Sequence, residues 1–324
     1  MKLVKSSYDP SEVTILLKDI TGLVEPLGTK EREKLIQSGV HYSEMLPLEY
    51  KPTEEYMKIY NRELIVNGYK TAKAIVKLGK KLFELKGPNL VLISLARAGT
   101  PIGILLKRYF KMKYNLDIPH YSISIIRGKG IDVNAMNFIV EHEKNKTNSF
   151  QFIDGWIGKG AIQKELRDSI ESYLISRIKN GDSGIFIDSK LGVISDPSMT
   201  VPDRYCGTRE DFIIPSSCLN ATVSGLFSRT FRRPDIIGEK DFDGAVYYEN
   251  LKGEDKSIEF LNEITDNLKE ILEAEEIEEK ELSFTGLDEV KQIAKYTTQK
   301  DVSQGAFAEA VYKFIDFDNP NITT

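Results

Sequence analysis

Cysteine is nearly missing from this chain of 324 residues: it has only Cys206 and Cys218, in no C-x-x-C arrangement, which argues against a disulfide framework or a structural zinc site. Histidine is almost as scarce. His41 and His120 lie beside tyrosines, as core hydrogen-bonding groups do, and His142 sits in a polar helix end. None stands in a local motif with a cysteine, although a pairing with Cys218 in space stays open because catalytic constellations are assembled by the fold. No apolar run reaches the roughly 18 residues of a membrane span, and the opening M-K-L-V-K-S-S-Y-D-P has no signal-peptide core. The expected location is the cytoplasm. Neither sign of charge dominates: 44 Lys and Arg against 49 Asp and Glu leave a net charge of -5, which argues against a dedicated nucleic-acid surface. Internal repeats and low-complexity tracts are missing too. What remains is an ordinary globular composition, 41% hydrophobic and 29% charged, long enough for one or two domains with a real core.

The organising stretch is Phe150 to Ile162, F-Q-F-I-D-G-W-I-G-K-G-A-I. Aromatic and β-branched residues end in Asp154, three glycines follow with Lys159 among them, and helix formers begin at Ala161. The pattern predicts strand, anion loop and helix. Gly155, Gly158 and Gly160 leave no Cβ in the way, so backbone N–H groups can converge on a phosphate, with Lys159 as a point charge. Asp154 falls where open α/β sheets place ligands. The residues thus suit a phosphorylated sugar, with the acid beside its hydroxyls or a bound Mg²⁺. A tight strand-to-helix connection without a ligand would use the same glycines. The spacing is neither a P-loop nor G-x-G-x-x-G.

Two earlier strand ends carry glycine beside a basic residue. Asn89 to Leu95 runs into Ala96-Arg97-Ala98-Gly99-Thr100-Pro101, and Tyr121 to Ile126 into Arg127-Gly128-Lys129-Gly130. Thr53 is the expected N-cap of one or two amphipathic helices from Tyr56 to Leu85, broken near Asn67-Gly68. Further helices are expected at 101–114, 132–143 and 161–178, with short strands at 184–187 and 191–195. The fold class is therefore α/β, a mostly parallel central sheet with helices on both faces, plus helical N- and C-terminal segments. The expected division is 1–88, a loop and helical segment covering the core; 89–200, the α/β core; 201–250, a segment packed on it; and 251–324, an acidic helical segment with helices at 286–300 and 306–314.

Residues 203 to 233 crowd charges of both signs around Pro215-Ser216-Ser217-Cys218, a pattern of a helix amino terminus. A cysteine there has its thiolate favoured by the dipole and nearby arginines; a small buried residue is the plainer reading. Asn220, Thr222, Ser224 and Ser228 predict an unusually polar helix, suited to a pocket wall or to close helix packing. Asp241 and Asp243 suit turn chemistry better than metal binding.

At the three glycine-bearing strand ends the chain resembles a type I phosphoribosyltransferase. Ala96 to Thr100 is similar to that family's pyrophosphate loop, Arg127 to Ile131 to the start of its mobile loop, and Ile153 to Ala161 to its PRPP motif. The second acid of that motif is here Gly155, and its hydroxyl and glycine positions hold Ile157, Gly158 and Lys159. A closer resemblance, specific at F-I-D-G-W-I-G-K-G-A-I, G-T-R-E-D-F-I-I-P-S-S-C-L-N-A-T-V-S-G-L-F-S-R-T and D-F-D-G-A-V-Y-Y, is to the bacterial phosphoribosyltransferase-like family of tellurite-resistance and stress-response gene clusters, whose members are also labelled cysteine protease StiP.

The resemblance implies a phosphoribosyltransferase that uses Mg²⁺ and a small-molecule phosphoribosyl donor, PRPP, or another phosphorylated ribose or nucleotide. Arg97, Ala98, Gly99 and Thr100 would hold the pyrophosphate. Gly155, Trp156, Ile157, Gly158, Lys159, Gly160 and Ala161 would hold the 5-phosphate. Asp154 would serve ribose and metal, and Arg127 and Lys129 would close over the site. Arg209, Asp211, Ser217, Cys218, Asn220 and Arg229 would line the pocket of an unidentified polar acceptor. No nucleic acid or membrane partner is expected, and a homodimer is compatible with the resemblance. The rival readings are a cysteine hydrolase or peptidase using Cys218, and a non-catalytic nucleotide sensor of a stress response.

Overall fold

Strands made of apolar residues on both faces are stable only between two layers, and this chain has two of them side by side. In the computed structural model, which describes residues 1–182, 184–197, 201, 204–208, 210 and 220–274, these are β3 (Val91–Leu95) and β7 (Phe150–Trp156). The first two short strands are β1 (Thr14–Ile15) and β2 (Lys18–Asp19); the others are β4 (His120–Ile123), β5 (Ile125–Ile126), β6 (Gly130–Ile131), β8 (Leu191–Ser195), β9 (Arg204–Thr208) and β10 (Gly244–Ala245). Six strands form one sheet in the order β1-β4-β3-β7-β8-β9, and every neighbouring pair in it is parallel. Ile93 sits opposite Tyr121 on one side and Phe152 on the other, and Val193 sits opposite Cys206.

The two-residue period of the strands divides the core. Leu92, Ile153 and Ile194 face a cluster that includes α2 (Glu54–Lys86), α3 (Gly99–Tyr114) and α6 (Ser257–Ala274). Val91, Ile93, Phe152 and Val193 face α4 (Val133–His142) and α5 (Ala161–Lys179). A nine-residue helix, α1 (Thr29–Gln37), precedes α2 and buries none of its residues. The expected sheet with helices on both faces is present. No helix among the described residues is long and apolar enough to cross a membrane.

Thr53 caps α2 as expected, its hydroxyl accepting from Tyr56 N at 3.2 Å. The expected break at Asn67-Gly68 does not occur: α2 runs unbroken for 33 residues. Gly68 is buried against α6, where a Cβ would lie 3.1 Å from Asn267 Nδ2. Helix approach explains this glycine, and Asn67 bonds Glu63 within the same helix at 2.8 Å. α6 presents an apolar stripe, Phe260, Leu261, Ile264, Leu268 and Ile271, to that core, so the acidic residues occupy only its outer side.

Two further expectations are corrected. Residues 184–187 form no strand; Phe186 is 64% exposed, and no ladder partner exists among the described residues. Residues 220–228 form a single turn of 3-10 helix, Ala221–Val223, rather than a polar helix. Gly225 and Leu226 then adopt positive φ, 82° and 61°, which ends any helix. The expected helices at 286–300 and 306–314 lie outside the described residues.

Candidate functional site

β7 carries Asp154 to the carboxyl edge of the sheet, and α3 begins against it. A Cβ on Gly99 would lie 2.2 Å from Ile153 O and 3.2 Å from Asp154 Cα, so only glycine lets the Ala96–Thr100 loop reach the acid. Thr100 turns inward: its hydroxyl meets Ser122 Oγ at 2.7 Å and is buried. Asp154 accepts one hydrogen bond, from Gly155 N at 2.8 Å. Burial pushes its carboxyl up to about 7, with the Gly155 bond opposing the rise.

The glycine loop is shorter than the sequence suggested. Gly155 and Trp156 belong to β7, and Trp156 pairs with Ser195. Ile157 is buried and its N–H donates to Ser195 O at 3.0 Å. Their backbones serve the sheet, which leaves Gly158, Lys159, Gly160 and Ala161 at the amino end of α5. Gly160 has φ of 75° and α5 has no side-chain cap. Lys159 is exposed. As a metal site the region offers one carboxylate that is half protonated near neutral pH, a poor fit to a hard cation. No group of three or more His, Cys, Asp or Glu stands together among the described residues.

The Arg127–Gly130 turn joins β5 and β6 and is tied down on every side. Arg127 N donates to Tyr42 Oη at 2.8 Å, Gly128 N to Glu165 Oε2 at 2.8 Å, and Lys129 Nζ to Glu44 at 2.7 Å and Arg232 O at 3.1 Å. Lys129 is therefore directed at Glu44 rather than over the Asp154 edge.

A cavity of about 690 Å³ opens beside Arg97, lined by residues from 42–56, 96–98 and 220–230. Glu49, a residue without a local sequence signal, organises it. Its Oε1 takes Arg97 Nη1 at 2.8 Å and its Oε2 takes Ala221 N at 2.5 Å, while Arg97 also donates to Phe227 O at 3.1 Å. Asn220 lines the same cavity, donating to Tyr50 O and accepting from Thr222 N. Tyr42, Tyr50, Tyr56 and Arg229 complete the wall. Among the expected acceptor-pocket residues, Asn220 and Arg229 are brought together here; Arg209, Asp211, Ser217 and Cys218 lie outside the described residues.

Cys206 is set apart from chemistry. Burial and the Asp196 charge push its thiol up to about 11, and Sγ donates to Thr208 O at 2.9 Å. His120 is equally structural: it bridges Glu12 O and Ser94 Oγ at 2.8 Å each, and burial pulls it down to about 3. His142 is exposed and stacks on Phe138 at 3.9 Å. His41 stacks on Tyr42, a cavity residue, with ring centroids 4.6 Å apart. Its Nδ1 meets Ser43 Oγ at 2.9 Å and its Nε2 meets Arg127 O at 3.1 Å.

Residues 6–265 match the family described as tellurite-like stress resistance cysteine protease StiP. The chain is similar to the cysteine protease StiP of Acinetobacter baylyi, 33% identical over 267 residues, which is 80% of this chain and 66% of that protein. It thus spans about two thirds of that relative's length. No solved structure matches it. These findings overturn phosphoribosyl transfer as the enzymatic class: both the family and the relative carry the name of a cysteine protease.

Proposed function

The chain belongs to the StiP family of tellurite-like stress resistance cysteine proteases, and from that premise we propose that it is a thiol peptidase whose nucleophile is Cys218. The observation that carries this reading is the state of the other thiol. The sequence has two cysteines, and Cys206 is half-buried in the sheet with its pKa raised to about 11. A thiol held in that form is a poor nucleophile.

The cavity beside Arg97 supports the reading from a second direction. Asn220, two positions after Cys218 in the sequence, lines it, and so does Tyr42, which follows His41. His41 is the candidate base, since it stacks on the cavity residue Tyr42, whereas His120 is buried. To act, His41 exchanges its bond to Arg127 O for one to the thiol. The thiolate then attacks the peptide carbonyl carbon, the imidazolium gives its proton to the departing amine, and water hydrolyses the thioester to restore the thiol.

The test is cleavage of an unfolded protein substrate by the full chain. Cys218→Ser abolishes cleavage and Cys206→Ser retains it, and limited iodoacetamide modifies Cys218 first. Cleavage that persists in Cys218→Ser overturns the reading.

A further inference from the structure

The charges around the cavity do not balance. Of its lining residues, Lys51, Arg97 and Arg229 are basic and Glu49 is acidic. Lys51 pairs with Glu254. Glu49 spends one oxygen on Arg97 and the other on Ala221 N, and the Arg97–Glu49 pair is well shielded, with side chains 12% and 4% exposed. Among the described residues that line the cavity, nothing acidic is left for Arg229. Among the described residues its guanidinium has no hydrogen bond or ion pair.

A second guanidinium adds to the excess. Arg32, on α1, has its Nε buried without a hydrogen-bond partner among the described residues. Its charge reaches Arg229: the protein around the Arg229 guanidinium, then Arg97, then Arg32 lower its pKa, with only Tyr42 and Glu49 opposing. Like charges gathered with part of their hydrogen-bond capacity unspent are costly in an isolated protein, and a bound anion removes that cost.

We propose that this cavity is a binding site for an oxyanion, a carboxylate or a phosphate group, gripped by Arg229 with Arg32 and Arg97 behind it. Arginine suits the role because its planar fork gives two parallel hydrogen bonds to such a group. Tyr42, Tyr50 and Tyr56 supply aromatic walls and further hydroxyl groups for the body of the ligand. The site differs from the glycine loop at α5; it lies in the cavity that the peptidase reading also uses, but binding an anion requires no thiol, so it does not depend on that reading.

Calorimetry on the full chain tests it, with N-acetylglutamate as the carboxylate probe, ribose 5-phosphate as the phosphate probe, and N-acetylglutamine and ribose as neutral controls. The expected result is that one of the two anions binds, that its neutral control does not, and that Arg229→Met weakens binding roughly ten- to a hundredfold, the effect of losing a charged hydrogen-bonding group. Which anion binds identifies the source of the oxyanion. Arg229→Lys should fall between wild type and Arg229→Met, since the charge stays and the fork is lost. Arg32→Met should weaken binding less and flatten its dependence on salt. Binding is read as heat and needs no turnover, so loss of cleavage and loss of anion binding are separate outcomes. The proposal is overturned if neither anion binds at millimolar concentration, or if Arg229→Met binds as the wild type does.

Discussion

Asp154 and Asp196 stand at the carboxyl ends of neighbouring strands β7 and β8, in opposite surroundings. Asp196 has a fully buried side chain and receives Arg204 Nε from the next strand at 2.5 Å. Among the described residues Asp154 receives no cation; its hydrogen bond comes from the adjoining Gly155 N–H. A buried acid with a guanidinium from the facing strand is part of what holds β9 to the sheet. A half-buried acid without one keeps its proton near neutral pH, as the rise to about 7 states. Perturbed groups of the second kind concentrate at functional edges, and those of the first kind are mostly architecture.

The largest effect should come from breaking the paired acid. Arg204→Met takes the guanidinium away from the buried Asp196 carboxylate, at a cost of about 3 to 5 kcal/mol. Urea unfolding should show a lower midpoint with an unchanged slope; an unchanged midpoint would remove the distinction between the two acids. Next comes Gly99→Ala. The new Cβ would lie 2.2 Å from a backbone oxygen beside Asp154, and an overpacked position of this kind costs about 1 to 3 kcal/mol. Because backbone must move, thermal unfolding should report the upper part of that range.

Replacing the unpaired acid should do the reverse. The folded pKa of Asp154 lies above its ordinary value, so the unfolded chain gives up its proton first as pH rises. Asp154 therefore favours the fold most below pH ~4, and that stability is lost as pH rises through about 7. Asp154→Asn should stabilise the protein at pH ~8 by about 1 to 2 kcal/mol, the cost of ionising the carboxyl there discounted for its partial exposure. The gain should shrink below pH ~7 and vanish near pH ~4. A gain independent of pH would mean that the amide improves packing rather than removes a charge.

Parts of this contrast were legible in the sequence. The strand bearing Asp154 and the strand that leads into Arg97 announced themselves because both of their faces are apolar, and the α5 start followed from Gly158 to Ala161. Three things were not legible. The strand order, with Thr14–Ile15 at one edge, depends on crossovers that no local pattern encodes. Gly68 looked like a break, because a glycine that admits a neighbouring helix and one that ends a helix are the same letter. The polar residues after Asn220 suggested a helix, but they serve a loop: Ser228 Oγ donates to Arg229 O and accepts from Val246 N. At the site, Glu49 escaped notice because its partners Arg97 and Ala221 are brought to it by the fold alone.

The smallest expected effect is the most discriminating. The rise in the Asp154 pKa comes from burial and is opposed by a neutral N–H donor, with no charged group involved. Salt screens charges and leaves burial untouched, so raising NaCl from about 0.05 to about 0.5 M should move its midpoint by less than about 0.2 pH unit. Asp235 provides the contrast within the same molecule. It is exposed, and its pKa is lowered chiefly by the bond to Arg233, 2.6 Å away. The same salt should raise its midpoint by a few tenths of a unit toward the ordinary value. Carboxyl ¹³C chemical shifts followed through a pH titration read both residues at once. If Asp154 moves as far as Asp235, a charge reaches it after all, and the distinction drawn between it and Asp196 fails.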